Sequence, residues 1–554
     1  MTRFDKKFDE LITEYDYMFQ RSYRIDTANG VTHGSVDDKT GMFTSDKTVS
    51  KKPILPVAIM DNLDNSVQKI QIAMWDCGRW KRLTVNREIL TNSSKIITLA
   101  NNGVPVGSDN ARLMSVYFNL LLAEFDERLP RNPARSVMGW VEHEEQRLFV
   151  PYAPEVSFDG EDTYKYLYNA IKRRGSLQEW IDYTLPLRIS APEIRLVMAA
   201  AFASPLIELI GENPFVLHLW GGTGTAKTVS LLIAASIYGD PKPGKLVRTM
   251  NMTANSMLST AAFLNSIPFC GDELQTIKSR WNNSYDQLIM QITEGIDRGR
   301  MRYNQIEEVK SWRCSFLFTG EEPCVKAVSG GGVANRVVQI EVKEKLVDDG
   351  NAVANFYRTH YGAAAPEYIG ALQSGLFDIE GMYRKYFAEI LSKSDTTDKQ
   401  AGAMALMLTA DDIANDIFWS EEPKMEVGWI VQYLASAKQV DASERAYQYI
   451  CGVISENNAN FTDASRVTWG RANEDGTVYF NKGVLSRIMT EAGYDYDACK
   501  KAWERNGHVL RRSDGRYLHQ IKLNDINTYC VKFAMPNDDP NGFPDYKGEI
   551  PFKQ

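Results

Sequence analysis

Cysteine is scarce in this chain, and what there is does not cluster. Cys77, Cys270, Cys314, Cys324, Cys451, Cys499 and Cys530 stand far apart, with no paired ligand spacing. An odd, scattered set excludes a disulfide framework and a zinc ribbon, and it fits a reducing compartment. The six histidines form no metal motif either. Long apolar runs are also missing: the longest nearly apolar stretch, 196–207, contains Ser204 and Pro205 and is bounded by Arg195 and Glu208. It falls short of the ~20 residues that a membrane span needs and reads as a buried helix. The first residues, Met1 to Phe8, lack the apolar core of a signal peptide, so the expectation is a cytoplasmic chain with no membrane partner. An excess of positive charge is absent as well. The net charge of −8 argues against a uniformly basic nucleic-acid binder but leaves room for local basic surfaces.

What is present begins with a glycine-rich stretch, Gly221-Gly222-Thr223-Gly224-Thr225-Ala226-Lys227-Thr228. It follows the apolar run Phe215 to Trp220 and precedes Val229 to Tyr238, which reads as a helix ended by Gly239. Strand, glycine loop, Lys-Thr and helix together describe a P-loop that holds nucleotide phosphates. Backbone amides of Gly221 through Val229 face the anion, Lys227 reaches the outer phosphates, and Thr228 is placed to ligate Mg²⁺. The expected cofactors are therefore ATP and Mg²⁺. Ala226 stands where a second glycine is usual; alanine keeps its amide and suits a helical start, unless the position needs a positive φ.

A phosphate loop alone leaves kinase, GTPase and motor readings open. Ile267 to Glu273 reads as a buried strand ending in Asp272 and Glu273, the first to hold Mg²⁺ and the second to activate water. A capping Asp-Glu pair at a helix start is the bland alternative. Trp312 to Glu321 reads as a further buried strand, with Thr319 the candidate for sensing the γ-phosphate or simply a hydroxyl satisfied at a strand end. Arg336 follows the run Gly330-Gly331-Gly332 and suits an arginine finger reaching a neighbouring subunit, against the alternative of a surface arginine. The finger reading requires an oligomer, most simply a ring. Between these motifs, Arg298, Arg300 and Arg302 alternate on one face of an extended segment that Asn304-Gln305 turns and Lys310 closes. Such a basic hairpin either grips a nucleic-acid backbone or lies solvated at the surface.

The texture of the chain suggests an α/β protein in several parts. Residues 1–185 read as a mixed α/β domain, 186–345 as the P-loop ATPase core and 346–442 as a helical lid or linker. Residues 443–535 read as helices followed by a strand–turn–strand over Val509–Lys522 with Asp514-Gly515 at its turn, and 536–554 as a tail. Lys500, Lys501 and Arg505 on the last helix, with Arg511, Arg512 and Arg516 beside the turn, make that region locally basic.

The ordered set of loop, Cys-Gly-Asp-Glu-Leu-Gln box and Phe-Thr-Gly-Glu resembles an ATPase domain of phage and integrative-element proteins. Over the whole chain it is similar to the Rep replication-initiator helicases of staphylococcal pathogenicity islands and the MCM-like Cch helicases of cassette chromosomes. The likeness is strongest over 70–380 and leaves the first sixty residues largely uncovered. It implies an AAA+ core, hexameric rings, a bacterial cytoplasmic setting and ATP-driven unwinding of DNA for a mobile element. It further implies hydrolysis by Lys227, Asp272 and Glu273, sensing by Thr319, a trans Arg336, and single-stranded DNA in the channel at hairpin 298–310. A carboxy-terminal winged helix is implied too, meeting duplex origin DNA or else a protein. The alternatives are an origin initiator or loader using ATP as a switch and, more remotely, a phosphotransferase.

Overall fold

The computed structural model describes residues 10, 12, 22–65, 67–160, 162–280, 285–298, 301–302, 305–306, 309–326, 329–462 and 468–536. The expected tail beyond Pro536 lies outside the described residues. The strands Tyr23–Asp26, Gly30–Val36 and Phe43–Ser50 form an antiparallel meander. The next strand, Ile54–Asn62, is buried almost throughout because it is paired on both sides, antiparallel to Gln68–Asp76 and parallel to Arg131–Arg135. Helix Ala111–Phe125 lays Met114, Tyr117, Phe118, Leu121 and Leu122 against this sheet, the spacing of one helical face. The Tyr117 hydroxyl donates to the Ile54 carbonyl at 2.7 Å, which satisfies a polar atom in that core.

The central sheet is wholly parallel. Its strand order is Val247–Thr249, Phe269–Asp272, Phe316–Gly320, Val216–Trp220 and Val337–Glu341. Burial on both faces explains why these strands read as continuous apolar runs rather than alternating ones. Helix Pro192–Ile210 starts with proline at its first position and ends at Gly211 in the left-handed region. It is buried without a break from Leu196 to Ile207 because it is covered by the sheet and by helix Asp398–Phe418. That second helix, in the stretch expected to form a lid, shares one apolar core with the sheet. Ala401, Ala403, Ala405 and Ala410 make close approach between helices possible. The buried Asp411 carboxylate accepts from Arg188 and Arg195, both at 2.7 Å, tying it to the preceding helices. Among the described residues no helix is long and apolar enough to cross a membrane.

A third core, around Ile450, Phe480, Leu485, Trp503 and Phe533, organises the carboxy-terminal region. Helices Ala442–Glu456, Lys482–Glu491 and Tyr496–Arg505 pack on a sheet built from Gly470–Ala472, Thr477–Asn481 and the long strand Ile526–Ala534. The expected hairpin over Val509–Lys522 is not formed. Val509–Leu510 and His519–Leu523 instead lie one after the other along the same strand, Ile526–Ala534. The hairpin turn is Asn524-Asp525, both at positive φ (47° and 62°), as a two-residue primed turn requires. Asp514-Gly515 closes a loop instead, because Arg511 in that loop is drawn onto Glu504 of the last helix, with Nη2–Oε2 at 2.9 Å.

Candidate functional site

Strands Val216–Trp220, Phe316–Gly320 and Phe269–Asp272 are neighbours in one parallel sheet, so the loops leaving their carboxyl ends converge. The first of these is the glycine loop. Gly221 takes φ 147°, and a Cβ there would lie 2.4 Å from the Val342 carbonyl oxygen, so only glycine permits the approach. Ala226 sits at φ 67°, ψ 23°, directly before helix Lys227–Ser236. This corrects the expectation that alanine suits a helical start at this point: the chain turns through a left-handed residue, which costs an L side chain about 1–2 kcal/mol. The first amides of the following helix have no intrahelical acceptor and are available to an anion.

Lys227 is buried, and its ammonium donates to the carbonyls of Gly221 (3.0 Å) and Gly222 (2.7 Å) and to Thr225 Oγ1 (3.0 Å). Burial lowers its pKa, opposed by the carboxylates of Glu321 and Asp272. Thr228 Oγ1 donates to both Asp272 oxygens, at 3.0 and 3.1 Å. The Thr319 hydroxyl donates to Asp272 Oδ1 as well, so one carboxylate collects a hydroxyl from the loop and one from the neighbouring strand. Glu273 is exposed at φ 60°, an outlier for a non-glycine residue, and its carbonyl is held by the amide and hydroxyl of Thr276.

Two further residues belong to this neighbourhood without having been expected. Glu321 Oε1 accepts from Thr223 Oγ1 at 2.9 Å and so stands at the mouth of the loop; its position directly after Thr319-Gly320 was the available signal. His218, at the centre of the loop strand, is fully buried and, among the described residues, has no hydrogen-bond partner at either ring nitrogen. Burial pushes its pKa down to about 3.

The Thr228 and Asp272 oxygens fit a magnesium ion, which takes few protein oxygens and completes its shell with water and phosphate. Among the described residues no group of three or more His, Cys, Asp or Glu side chains is placed to hold a metal.

Arg336 lies elsewhere. It precedes strand Val337–Glu341, whose first residue pairs with Val216, so it stands at the opposite end of the sheet from the glycine loop. Its Nη1 donates to the Gly332 carbonyl at 2.8 Å. The basic segment forms a short hairpin in which Met301 and Arg302 pair with Ile306 and Gln305. Gln305, expected in the turn, therefore belongs to the return strand, while Arg300 and Asn304 lie outside the described residues. Arg298 is exposed, and Lys310 donates to Ser259 Oγ at 2.7 Å. In the carboxy-terminal region Lys501 and Arg505 are partly or fully open to solvent and Lys500 lies 5.2 Å from the Tyr517 ring centre. Arg511 is paired with Glu504, and Arg512 and Arg516 flank Asp514.

Comparison with known proteins places the chain among relatives. The chain shares its fold with a solved structure described as "SCCmec type IV Cch - active helicase": TM-score 0.70, 16% identity, covering 93% of this chain and 97% of that one. A weaker likeness, TM-score 0.32 at 11% identity, covers 86% of this chain and 96% of the apo NrS-1 carboxy-terminal region, a level that does not establish a common fold. No curated protein matches the sequence. Residues 441–536 match the model of the Cch helix turn helix domain, so the expected likeness to the cassette-chromosome Cch proteins is borne out. A second family match begins at residue 23, inside the first sixty residues where little likeness is expected; the meander there contributes Tyr23, Val31 and Val49 to the same core as the neighbouring sheet. That match is to the domain of unknown function DUF927 and spans residues 23–313, more than half of the 554 residues, and the protein belongs to the DUF927 family.

Proposed function

We propose that this protein is an ATP-dependent DNA helicase and replication initiator that works as a ring, most simply a hexamer, for a mobile genetic element. The observation that carries this reading is the convergence of Lys227, Thr228, Asp272 and Thr319 at the carboxyl ends of adjacent parallel strands. In it, loop amides and Lys227 bind the ATP phosphates, Thr228 and Asp272 hold Mg²⁺, and Glu273 orients the attacking water. Mg²⁺ supplies charge neutralisation on the phosphate oxygens. Thr319 acts through Asp272, which it contacts, and Arg336 acts on a neighbour. The five residues of strand between Arg336 and its own glycine loop span roughly 16 Å, too far for it to serve its own site.

The division into an amino-terminal unit, an ATPase core with its helices and a carboxy-terminal winged helix is part of the same proposal; three separate apolar cores support it, the central one also taking in Met138 to Trp180 from the stretch 1–185. Hairpin 298–310 is assigned to single-stranded DNA, and the helix-turn-helix region to duplex origin DNA. The match of that region also favours a second reading, an initiator or loader that uses ATP as a switch. Forked DNA with a 3′ or a 5′ tail, ATP and Mg²⁺ separate them. Strand separation by the wild type and none by Lys227→Ala is expected. Origin binding and ATP hydrolysis without strand separation would favour the loader.

A further inference from the structure

The long strand Ile526–Ala534 sends Val531 and Phe533 into the carboxy-terminal core, and Tyr529 stands on the same face two residues earlier. There the covering helices run out, and Tyr529 is 58% exposed. Its cross-strand partner is Gln520, so both side chains stand on one face of the hairpin. Beneath them is a cavity of about 400 Å³ whose lining includes Lys482, Lys500, Arg512, Arg516, Tyr517 and Tyr529. Helix Lys482–Glu491 contributes its first residue, helix Tyr496–Arg505 contributes Lys500, and the loop around Gly515 supplies the two arginines. Among the described residues the lining contains four cations and no carboxylate; Asp514 pairs with both arginines beside it.

This combination selects a ligand chemistry. Cations around a concavity ask for phosphate, and an exposed tyrosine ring beside them asks for a flat π-face. The volume lies in the range of pockets that enclose small organic ligands. A duplex offers phosphates on a convex surface and keeps its base faces stacked, so it satisfies the cations and leaves Tyr529 unused. An unpaired nucleotide satisfies both. We propose that this cavity captures one unpaired nucleotide of single-stranded DNA, its base stacked on Tyr529 and its phosphate held by Lys482, Lys500, Arg512 and Arg516. The carboxy-terminal region would then grip melted DNA beside its duplex contacts. The proposal rests on the DNA-binding reading of that region.

The test uses the full chain and a single-stranded oligonucleotide carrying 4-thiothymidine, irradiated and mapped by mass spectrometry, with affinities from fluorescence anisotropy. The expected result is a crosslink in the peptide containing Tyr529 and a loss of about tenfold in single-strand affinity for Tyr529→Ala. Tyr529→Phe keeps the ring and retains the affinity, and duplex affinity is unchanged by either variant. Far-ultraviolet circular dichroism checks that the exposed substitution leaves the fold intact. Equal losses for single strand and duplex would overturn the stacking assignment, as would crosslinks confined to the 298–310 segment. If the wild type bound neither form of DNA, the underlying reading would fail. A failure confined to Tyr529 leaves the wild type binding and unwinding DNA, so the two outcomes are distinct.

Discussion

The two ends of the central sheet differ in what they gather. At the carboxyl ends of its strands, Lys227, Thr228, Asp272, Thr319 and Glu321 lie in one hydrogen-bonded neighbourhood, each hydroxyl finding a carboxylate and the ammonium finding loop oxygens. At the other end, among the described residues, the Arg336 side chain is bound to its own turn, through Gly332, and to the sulfur of Met290. One end is assembled within the chain, and the other presents a cation about five strand residues, roughly 16 Å, from the glycine loop. The difference teaches that, under the proposed function, a hydrolysis in which Arg336 takes part belongs to a pair of chains rather than to one.

The largest effects test that contrast directly. Lys227→Ala and Arg336→Ala should each lower ATP hydrolysis by about 10²–10³-fold, measured as phosphate release. Mixing the two variants should restore a fraction of the rate, because some interfaces then pair an intact Lys227 with an intact Arg336. A mixture as inactive as its components would place both residues in one subunit's site and erase the comparison. Thr319→Val should act more mildly, raising the Mg²⁺ concentration for half-maximal hydrolysis by about 10–100-fold, as expected for a residue that orients a metal ligand. An unchanged Mg²⁺ titration with a lowered kcat would instead make Thr319 a direct sensor of phosphate.

Much of the assembled end was legible in the sequence because its signals are local. A parallel strand buried on both faces is an apolar run, and the residues just beyond each run, Gly221 to Thr228, Asp272-Glu273 or Thr319, fall at the strand end by chain continuity. Pairings between runs were not legible: nothing near Thr319 specifies Asp272, 47 positions away, and nothing near Thr223 specifies Glu321. The Asp514-Gly515 turn misled for the opposite reason. Its local chemistry is that of a hairpin, but strand Ile526–Ala534 offers one edge to both flanking segments, and the Arg511–Glu504 pair holds the loop between them. The helix Asp398–Phe418 is helical as its alanines suggest, while its place in the sheet's core depends on Pro192–Ile210, far away in sequence.

Midway between the two ends, His218 offers a smaller test. Its folded-state pKa is lowered to about 3, against about 6.5 in an unfolded chain. Between those values the unfolded state binds the extra proton, so stability rises with pH and is lost as pH falls below 6.5. The loss should reach roughly 1 kcal/mol at pH 5.5. Denaturant midpoints at pH 7.5 and 5.5 should move apart in the wild type and less so in His218→Gln, which has no titrating ring. Equal displacement in both proteins would remove His218 from the acid response.

The smallest effect concerns the residue that joins the strand to the site. Ala226 holds φ 67° with a Cβ that disfavours it. Ala226→Gly relieves about 1–2 kcal/mol of local cost and gives back part of it through the greater freedom of glycine in the unfolded chain. The net gain should be about 1 kcal/mol in unfolding free energy, read from denaturant melts. Because a glycine presents the same amide at the same φ, ATP affinity should stay constant or improve slightly. If the variant is less stable, the left-handed turn is not strained by alanine and the loop is held by contacts that need the methyl group. If stability rises while ATP affinity falls, the assembled end works only because the turn is held rigid. The contrast with Arg336 would then be one of stiffness as well as of position.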